Sequence, residues 1–427
     1  MTLQSDLCEE MLTADSGIPL GIPGYPATYR LAVQAAVVTV GNLLGTFVLG
    51  TGVLGGPRWV DLTKDCEGLH WSRGGAPAER PIAGELNIRL NNDDDEWTPW
   101  VSPFFGPGTM VRVAVGDATT LCSQFCGQSI SWNEASVGLE AYSWVDIVVW
   151  ENSFLLSEVN DHALDGVIGG GDTLTQRVDR LLDQADWAFG REIMSTTPAT
   201  FQASDFAQDV ASNLYLTVDS VDAVVWPAKH GMLMIADRAM GSGISWKLQR
   251  RDQDTDSIVT ANDDERILSS VDLSRVGGTV ITYENHGIAG KYQRRSTTRT
   301  DLITNAEPGD ADLQRVADGM LARARQTYRP VTFAVESGQG FNQAQLIVEA
   351  DITDRMTIDI GLPAHEQLEF TGYSICGMEI DVQFGGGGTY WRGTITMDIE
   401  ADSAWEVIPP EFALWDSTRW DGTERWR

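Results

Sequence analysis

Alternation of apolar and polar residues at period two recurs along this chain and commits it to a β-rich fold. Gly84-Glu-Leu-Asn-Ile-Arg-Leu90 and Met110-Val-Arg-Val-Ala-Val115 put every second side chain on one face, as strands with one buried side do. Ser143-Trp-Val-Asp-Ile-Val-Val-Trp150 is more continuously apolar and predicts a strand buried on both faces. Turn clusters at Asn91-Asn92-Asp93-Asp94-Asp95 and Gly106-Pro107-Gly108 divide residues 58–158 into a meander of short strands. The β character returns from Val331 to Trp405. There Ile380–Phe384 and Thr389–Met397 predict a hairpin around the glycines at 385–388.

Helical periodicity is confined to the middle. Leu174, Val178, Leu181, Leu182 and Ala185 form one stripe of a helix opened by Asp172-Thr173. A short helix is expected from Ser204-Asp205, with Phe206, Val210 and Leu214 inward. Ser220 to Arg238 reads as a hairpin. A helix from Asp310 to about Thr327 carries Leu313, Val316, Ala317, Met320, Leu321 and Ala324 on one face, and Pro330 stops it.

Charge and cysteine content narrow the function classes. A formal net charge of −31 over 427 residues argues against a nucleic-acid-binding surface, because phosphates are repelled over most of the molecule. Of the basic residues only Lys64, Lys229, Lys247 and Lys291 are lysines; interface use of arginine and a biased genomic base composition both give this skew. Five cysteines are too few and scattered for a disulfide framework. Acids stand near the N-terminus where a signal peptide is basic, so synthesis in a reducing cytoplasm is expected. Leu31 to Pro57 is uncharged for 27 residues, yet its polar residues, glycines and β-branched runs suit strands better than a membrane span.

Motifs for chemistry are weak. Gly50-Thr-Gly-Val-Leu-Gly55 matches G-x-G-x-x-G, but no helical periodicity follows it, so no nucleotide cofactor is implied. His365-Glu366-Gln367-Leu368-Glu369 lacks the second histidine of a zinc-protease helix. Cys122-x-x-x-Cys126 has no second pair and reads as two semi-buried thiols. Asp252, Asp254, Asp256 and Asp263 occupy positions 1, 3, 5 and 12 of a calcium loop. Position 6 is Ser257 rather than glycine and position 12 is not glutamate, so an acidic solvated loop is the plainer reading. No nucleophile–base–orienter set is present, and no cofactor is expected.

An ordered set of softer motifs runs from residue 45 to 427. It begins with Phe47-Val-Leu-Gly-Thr51, Trp59-Val-Asp-Leu-Thr63 and the strand Trp71-Ser72-Arg73-Gly74. Ala83-Gly84, Ile88-Arg-Leu-Asn-Asn92, Trp97-Thr-Pro99 and Pro107-Gly108-x-x-Val111-Arg-Val113 follow. Leu181-Leu182-Asp183-Gln184-Ala185-Asp186-Trp187, a second helix at Asp310, a closing β segment near Trp391, and Trp415 and Trp420 complete the series. In this order the chain resembles the minor tail proteins of bacteriophages with long non-contractile tails, of the tail-tip or baseplate-hub kind.

The resemblance implies a mainly β fold with an α+β middle, containing β-barrel domains of the tail-hub type and two or three packed helices. The expected division is an N-terminal arm (1–57), a first β-barrel region (58–160), a mixed middle (161–330), a second β-barrel region (331–409) and a Trp-rich tail (410–427). It also implies a non-enzymatic homotrimer in the virion. Its partners would be the distal tail ring, the tail tube, the tape-measure protein and the tip or fibre proteins. Lys291, Arg294, Arg295, Arg299, Trp415, Trp420 and Trp426 are the expected interface residues, with acids lining the DNA channel. Two alternatives stand beside this reading: a virion-associated cell-wall hydrolase using carboxylates such as Asp93, Asp95 and Glu96, and a carbohydrate-binding receptor module.

Overall fold

The computed structural model describes residues 17–22, 24–37, 58–75, 83–99, 101, 105–117, 121–137, 142–158, 167–206, 208–238, 245–248, 259–260, 267–286, 289, 295–324, 331–338, 341–359, 369–385 and 388–399. The first part of the chain supplies β1 (Ile18–Pro19), β2 (Arg30–Val37), β3 (Arg58–Asp61), β4 (Cys66–Gly74), β5 (Glu85–Asn91), β6 (Met110–Gly116), β7 (Leu121–Val137) and β8 (Tyr142–Glu151). The middle adds helices α1 (Leu155–Glu158), α2 (Leu174–Gln184) and α3 (Val210–Asp219), and strands β9 (Arg191–Ile193), β10 (Ala223–Pro227) and β11 (Leu233–Asp237). Then come β12 (Ser245–Leu248), β13 (Val259–Thr260), β14 (Ser270–Arg275), β15 (Ile281–Glu284), β16 (Ser296–Leu302) and α4 (Ala311–Arg323). The last part is β17 (Val331–Glu336), α5 (Phe341–Glu349), β18 (Arg355–Asp359), β19 (Glu369–Gly385) and β20 (Gly388–Ile399).

The large sheet runs in the order β1-β2-β6-β7-β8-β5-β4-β19-β20-β17-β13. Strands from the two ends of the sequence therefore lie side by side. The long hairpin β19–β20 is what joins them. The later part of β19 pairs with β4, from Gly377↔Gly74 to Gln383↔Gly68. Its earlier part pairs with β18, from Glu369↔Asp359 to Ser374↔Arg355. A register shift between Ile375 and Gly377 sits where the partner changes, as expected of a bulge that bends a strand. Opposite it, Gly74 has φ +75 and no room for a Cβ beside the Cys376 carbonyl, so glycine is required there. Likewise β20 pairs with β17 from Arg392↔Glu336 to Met397↔Val331. Beyond the end of β17, Thr389 donates from its backbone N–H (3.2 Å) and its hydroxyl (2.7 Å) to the carbonyl of Leu20. One hairpin thus serves two strand sets, although no ladder among the described residues closes a complete barrel.

A single apolar core follows this arrangement, holding Leu31, Trp71, Ile88, Val113, Phe125 and Ile147 together with Phe333, Ile380, Trp391 and Ile395. The middle carries two smaller layers. The sheet β10-β11-β9 packs on α2 and α3 through Val178, Leu181, Leu214 and Ile235. The sheet β15-β14-β16 packs on α4 through Val271, Leu273, Leu302, Val316 and Ala317. Helix α2 begins on a capping box: the Thr173 hydroxyl accepts from Gln176 N–H and the Gln176 side chain accepts from Thr173 N–H.

The expected mainly β class with packed helices is what the structure shows, and three local expectations are corrected. Strand β8 is not buried on both faces: Val145, Ile147 and Val149 point into the core while Trp144, Val148 and Trp150 are half-buried outside. The outer face reads as apolar because indole rings cover it. Helix α3 starts at Val210 on an Asp209 cap rather than at Ser204, though Phe206, Val210 and Leu214 are indeed buried. The region after Val331 contains α5, whose Ala344, Leu346, Ile347 and Val348 are all buried. Burial on several sides erased the one-sided period by which a helix is recognised.

Candidate functional site

Three segments far apart in sequence converge on Arg73. It occupies the last inward position of β4, following Leu69 and Trp71 at period two. Its guanidinium is 1% exposed and pairs with Glu151 at the end of β8, where Nε donates to Oε1 at 2.5 Å. Nη1 donates to Asp351, just beyond α5, and Nη2 to the Pro227 carbonyl at the end of β10 at 2.6 Å. Glu151 also accepts the Gly84 N–H at 2.7 Å. Asp351 accepts the Lys229 N–H at 3.2 Å. Lys229 is itself buried, and its ammonium donates to the Val348 carbonyl (2.8 Å) and to Gln124 Oε1 (3.3 Å). Asp354 extends the cluster by accepting from Asp351 N–H (2.9 Å) and from the Trp246 indole (2.8 Å).

Burial opposes charge throughout this cluster. It would lower the Arg73 pKa, but Asp351 and Glu151 outweigh it and hold the guanidinium above its ordinary value. Burial raises the Glu151 carboxyl against the pull of Arg73 and the Gly84 N–H. Lys229 is lowered by burial, with Asp351 and Cys122 acting against it. The donors and acceptors satisfy one another. What the arrangement does is fasten the first strand set, the middle and the last part of the chain at one buried point.

A second ionic net holds the middle together. Asp222 takes both Arg323 nitrogens of α4 at 3.1 and 2.7 Å. Gly319, one turn earlier, leaves no space for a Cβ beside that carboxylate. Asp219 accepts from Arg299 of β16 at 3.2 Å. Arg275 grips Asp312 with two nitrogens (Nε at 2.9 Å), and Thr304 donates to the same carboxylate at 2.7 Å.

The sequence-derived site residues fare unevenly. Asp252, Asp254, Asp256, Asp263, Lys291, Arg294, Trp415, Trp420 and Trp426 lie outside the described residues, as do Gly50–Gly55 and His365. Arg299 is held by Asp219 and Asp301 of its own chain. Arg295 begins β16's approach, its backbone N–H donating to Ser269 Oγ at 2.9 Å. Asp93, Asp95 and Glu96 are turn residues: Asp93 accepts the Ser143 N–H at 2.9 Å, Asp95 is left-handed at φ 58, and Glu96 pairs with Lys64 at 3.3 Å. Cys66, Cys122 and Cys376 are free thiols, whereas Cys126 is disulfide-bonded, so two thiols were expected at 122 and 126 and one is found. Among the described residues no group of three His, Cys, Asp or Glu side chains is placed to hold a metal ion, and no helix is long and apolar enough to cross a membrane. Sequence reasoning passed over the Arg73 cluster. Its one signal was an arginine on the inward parity of a strand.

No protein-family model matches the sequence, and no curated protein matches it either. Solved structures do. The tail protein from Neisseria meningitidis MC58 aligns with a TM-score of 0.57 at 14% identity, covering 87% of this chain and 98% of that one. The 43 kDa tail protein of prophage MuSo2 from Shewanella oneidensis gives 0.56 at 13% identity, over 88% and 99%. This chain has the fold of these two tail proteins. Both alignments span nearly the whole of the partner structure, so the likeness takes in the two strand sets and the middle together rather than one β segment.

Proposed function

We propose that the chain is a structural component of a bacteriophage tail, of the tip or baseplate-hub type. In this reading it joins the end of the tail tube to tip and receptor-binding proteins around the DNA exit channel. It works through contacts with the distal tail ring, tail tube, tape-measure and fibre proteins, as a homotrimer in the virion and without catalysis. The observation that carries this is the match to two tail proteins along nearly their full length. The fastening at Arg73 agrees with it, because a part that bears load during ejection is served by domains that cannot drift apart. Each of Asp93, Asp95 and Glu96 is engaged in a surface turn, which favours the structural reading over the hydrolase.

Co-expression with the neighbouring tail proteins, followed by size-exclusion chromatography with light scattering, tests the proposal. It expects a complex of defined stoichiometry containing three copies of this chain. Clearing of purified host cell wall in a zymogram would favour the hydrolase instead, and selective glycan-array binding would favour the receptor module.

A further inference from the structure

Strands β2 and β6 are covered on both faces. Leu31, Val33, Val111, Val113 and Val115 point into the core, and on the outer face Ala32, Gln34, Arg112 and Ala114 are buried as well, Arg112 at 1% exposure. One end of that outer face has its cover among the described residues. Trp59 lies over the Arg112 guanidinium at 4.2 Å, and Phe189, Leu155 and Trp187 pack with Ala36, Met110 and Cys126. The other end does not. Ala32 and Ala114 are partners across the two strands and both 0% exposed, yet no other described apolar side chain joins them. Cys126 stands on the same face, opposite Arg112 on the neighbouring strand β7, and is disulfide-bonded. Cys66, Cys122 and Cys376 are free thiols, so of the five cysteines only Cys8 is left to be its partner within the chain.

We propose that a Cys8–Cys126 disulfide docks residues 1–16 on the outer face of β2, β6 and β7, with their apolar side chains seated over Ala32 and Ala114. The segment enters at the right place. Gly17 is fixed beside β2, its N–H donating to Asp61 Oδ2 at 2.6 Å and its carbonyl accepting from Arg30 Nη1 at 3.2 Å. Ile18 lies opposite Leu31, and Cys126 lies across β6 from Gln34. The span is three strand spacings, about 14 Å, and three residues along the strands, about 10 Å. The nine residues from Cys8 to Gly17 reach about 30 Å. Side-chain sizes match too: Leu3, Leu7, Met11 and Leu12 flank Cys8, and bulky groups fill the room that alanines leave. Closing the bond takes one proton and one electron from each thiol; a low-molecular-weight disulfide accepts the two electrons and leaves as two thiols. This inference rests on burial and cysteine pairing and stands whether or not the chain belongs to a tail tip.

Non-reducing tryptic mapping of the full chain tests the bond. Peptide 1–30 should be recovered joined to peptide 113–177, from protein that runs as a monomer on a non-reducing gel. Cys122→Ser should leave the link and Cys126→Ser should abolish it. Cys126 recovered as a free thiol, or joined to another cysteine or another copy, would overturn the proposal. Docking is read separately, from the alkylation rate of the thiol introduced by Ala32→Cys. Adding Cys8→Ser and Leu7→Asp to that full-length chain should speed its alkylation on the order of tenfold or more, while Cys66, buried in the main core, keeps its rate. An unchanged rate at position 32 would overturn the docking, as would an equal gain at Cys66, which marks loosening of the whole fold.

Discussion

Trp71 and Trp391 meet edge to face in the core, ring centroids 5.5 Å apart and planes at 89°. They stand on β4 and β20, on either side of β19, and neither is exposed. Their contact is the apolar counterpart of the Arg73 cluster: each ties the first strand set to the last part of the chain. Trp391 is fixed further by its indole N–H donating to Thr389 Oγ1 at 2.7 Å.

Truncating either ring should cost about 3–5 kcal/mol of unfolding free energy. A double-mutant cycle with Trp71→Ala and Trp391→Ala should return a coupling of about 0.5–1.5 kcal/mol. Chemical denaturation monitored by circular dichroism measures both quantities. Strict additivity would mean that the two rings are not in contact.

Arg73→Met leaves Glu151 and Asp351 without their shared cation in a buried site. The expected loss is about 3–5 kcal/mol. Adding Glu151→Leu to the same chain should recover part of it, because an apolar pair replaces a stranded carboxylate. A double variant no more stable than Arg73→Met would contradict this account of the cluster.

Gly319→Ala discriminates by sign. Helix propensity alone predicts a gain of about 1 kcal/mol. The overlap with the Asp222 carboxylate predicts instead a loss of about 1–3 kcal/mol as Asp222 is pushed off Arg323. A fall in Tm is expected.

The Asp312 carboxyl supplies a pH test. Burial alone would raise its pKa, but hydrogen bonds from Arg275, Thr304 and the Glu307 N–H hold it below the ordinary aspartate value. A lowered folded-state pKa stabilises the fold above the unfolded value of about 3.9, and that stabilisation is lost as pH falls through the folded value. Asp312→Asn should therefore cost on the order of 2–3 kcal/mol at pH 7. Its deficit relative to wild type should shrink as the pH is lowered below about 4. A deficit independent of pH would show that the charge at Asp312 plays no part.

What could be read from the sequence was local. The stripe Leu174–Ala185 gave α2, and its Thr173 start is the cap observed. Alternation in Met110–Val115 gave β6 as a strand but not its burial, since Met110, Arg112 and Ala114 are buried as fully as the valines between them; the glycines after Phe384 marked the β19–β20 hairpin, where Gly385 lies opposite Gly388. What could not be read was pairing at a distance. Glu379 lies opposite Ser72 across the sheet, and nothing in either segment names the other. The bulge at Cys376 that lets one strand serve two partners leaves only a shifted period. The Arg73 cluster was hidden for a chemical reason: Arg, Glu, Lys and Asp are surface residues by default, and Arg73 and Asp351 are separated by 278 positions.

Cryo-electron microscopy of the intact virion tail tests the central claim most directly. The account predicts three copies of this fold in a ring at the tail end, around the channel, with β19–β20 recognisable as the hairpin common to both strand sets of each copy. Finding the chain at the tip of a side fibre, or absent from the tail while the purified protein cleaves cell wall, would contradict it.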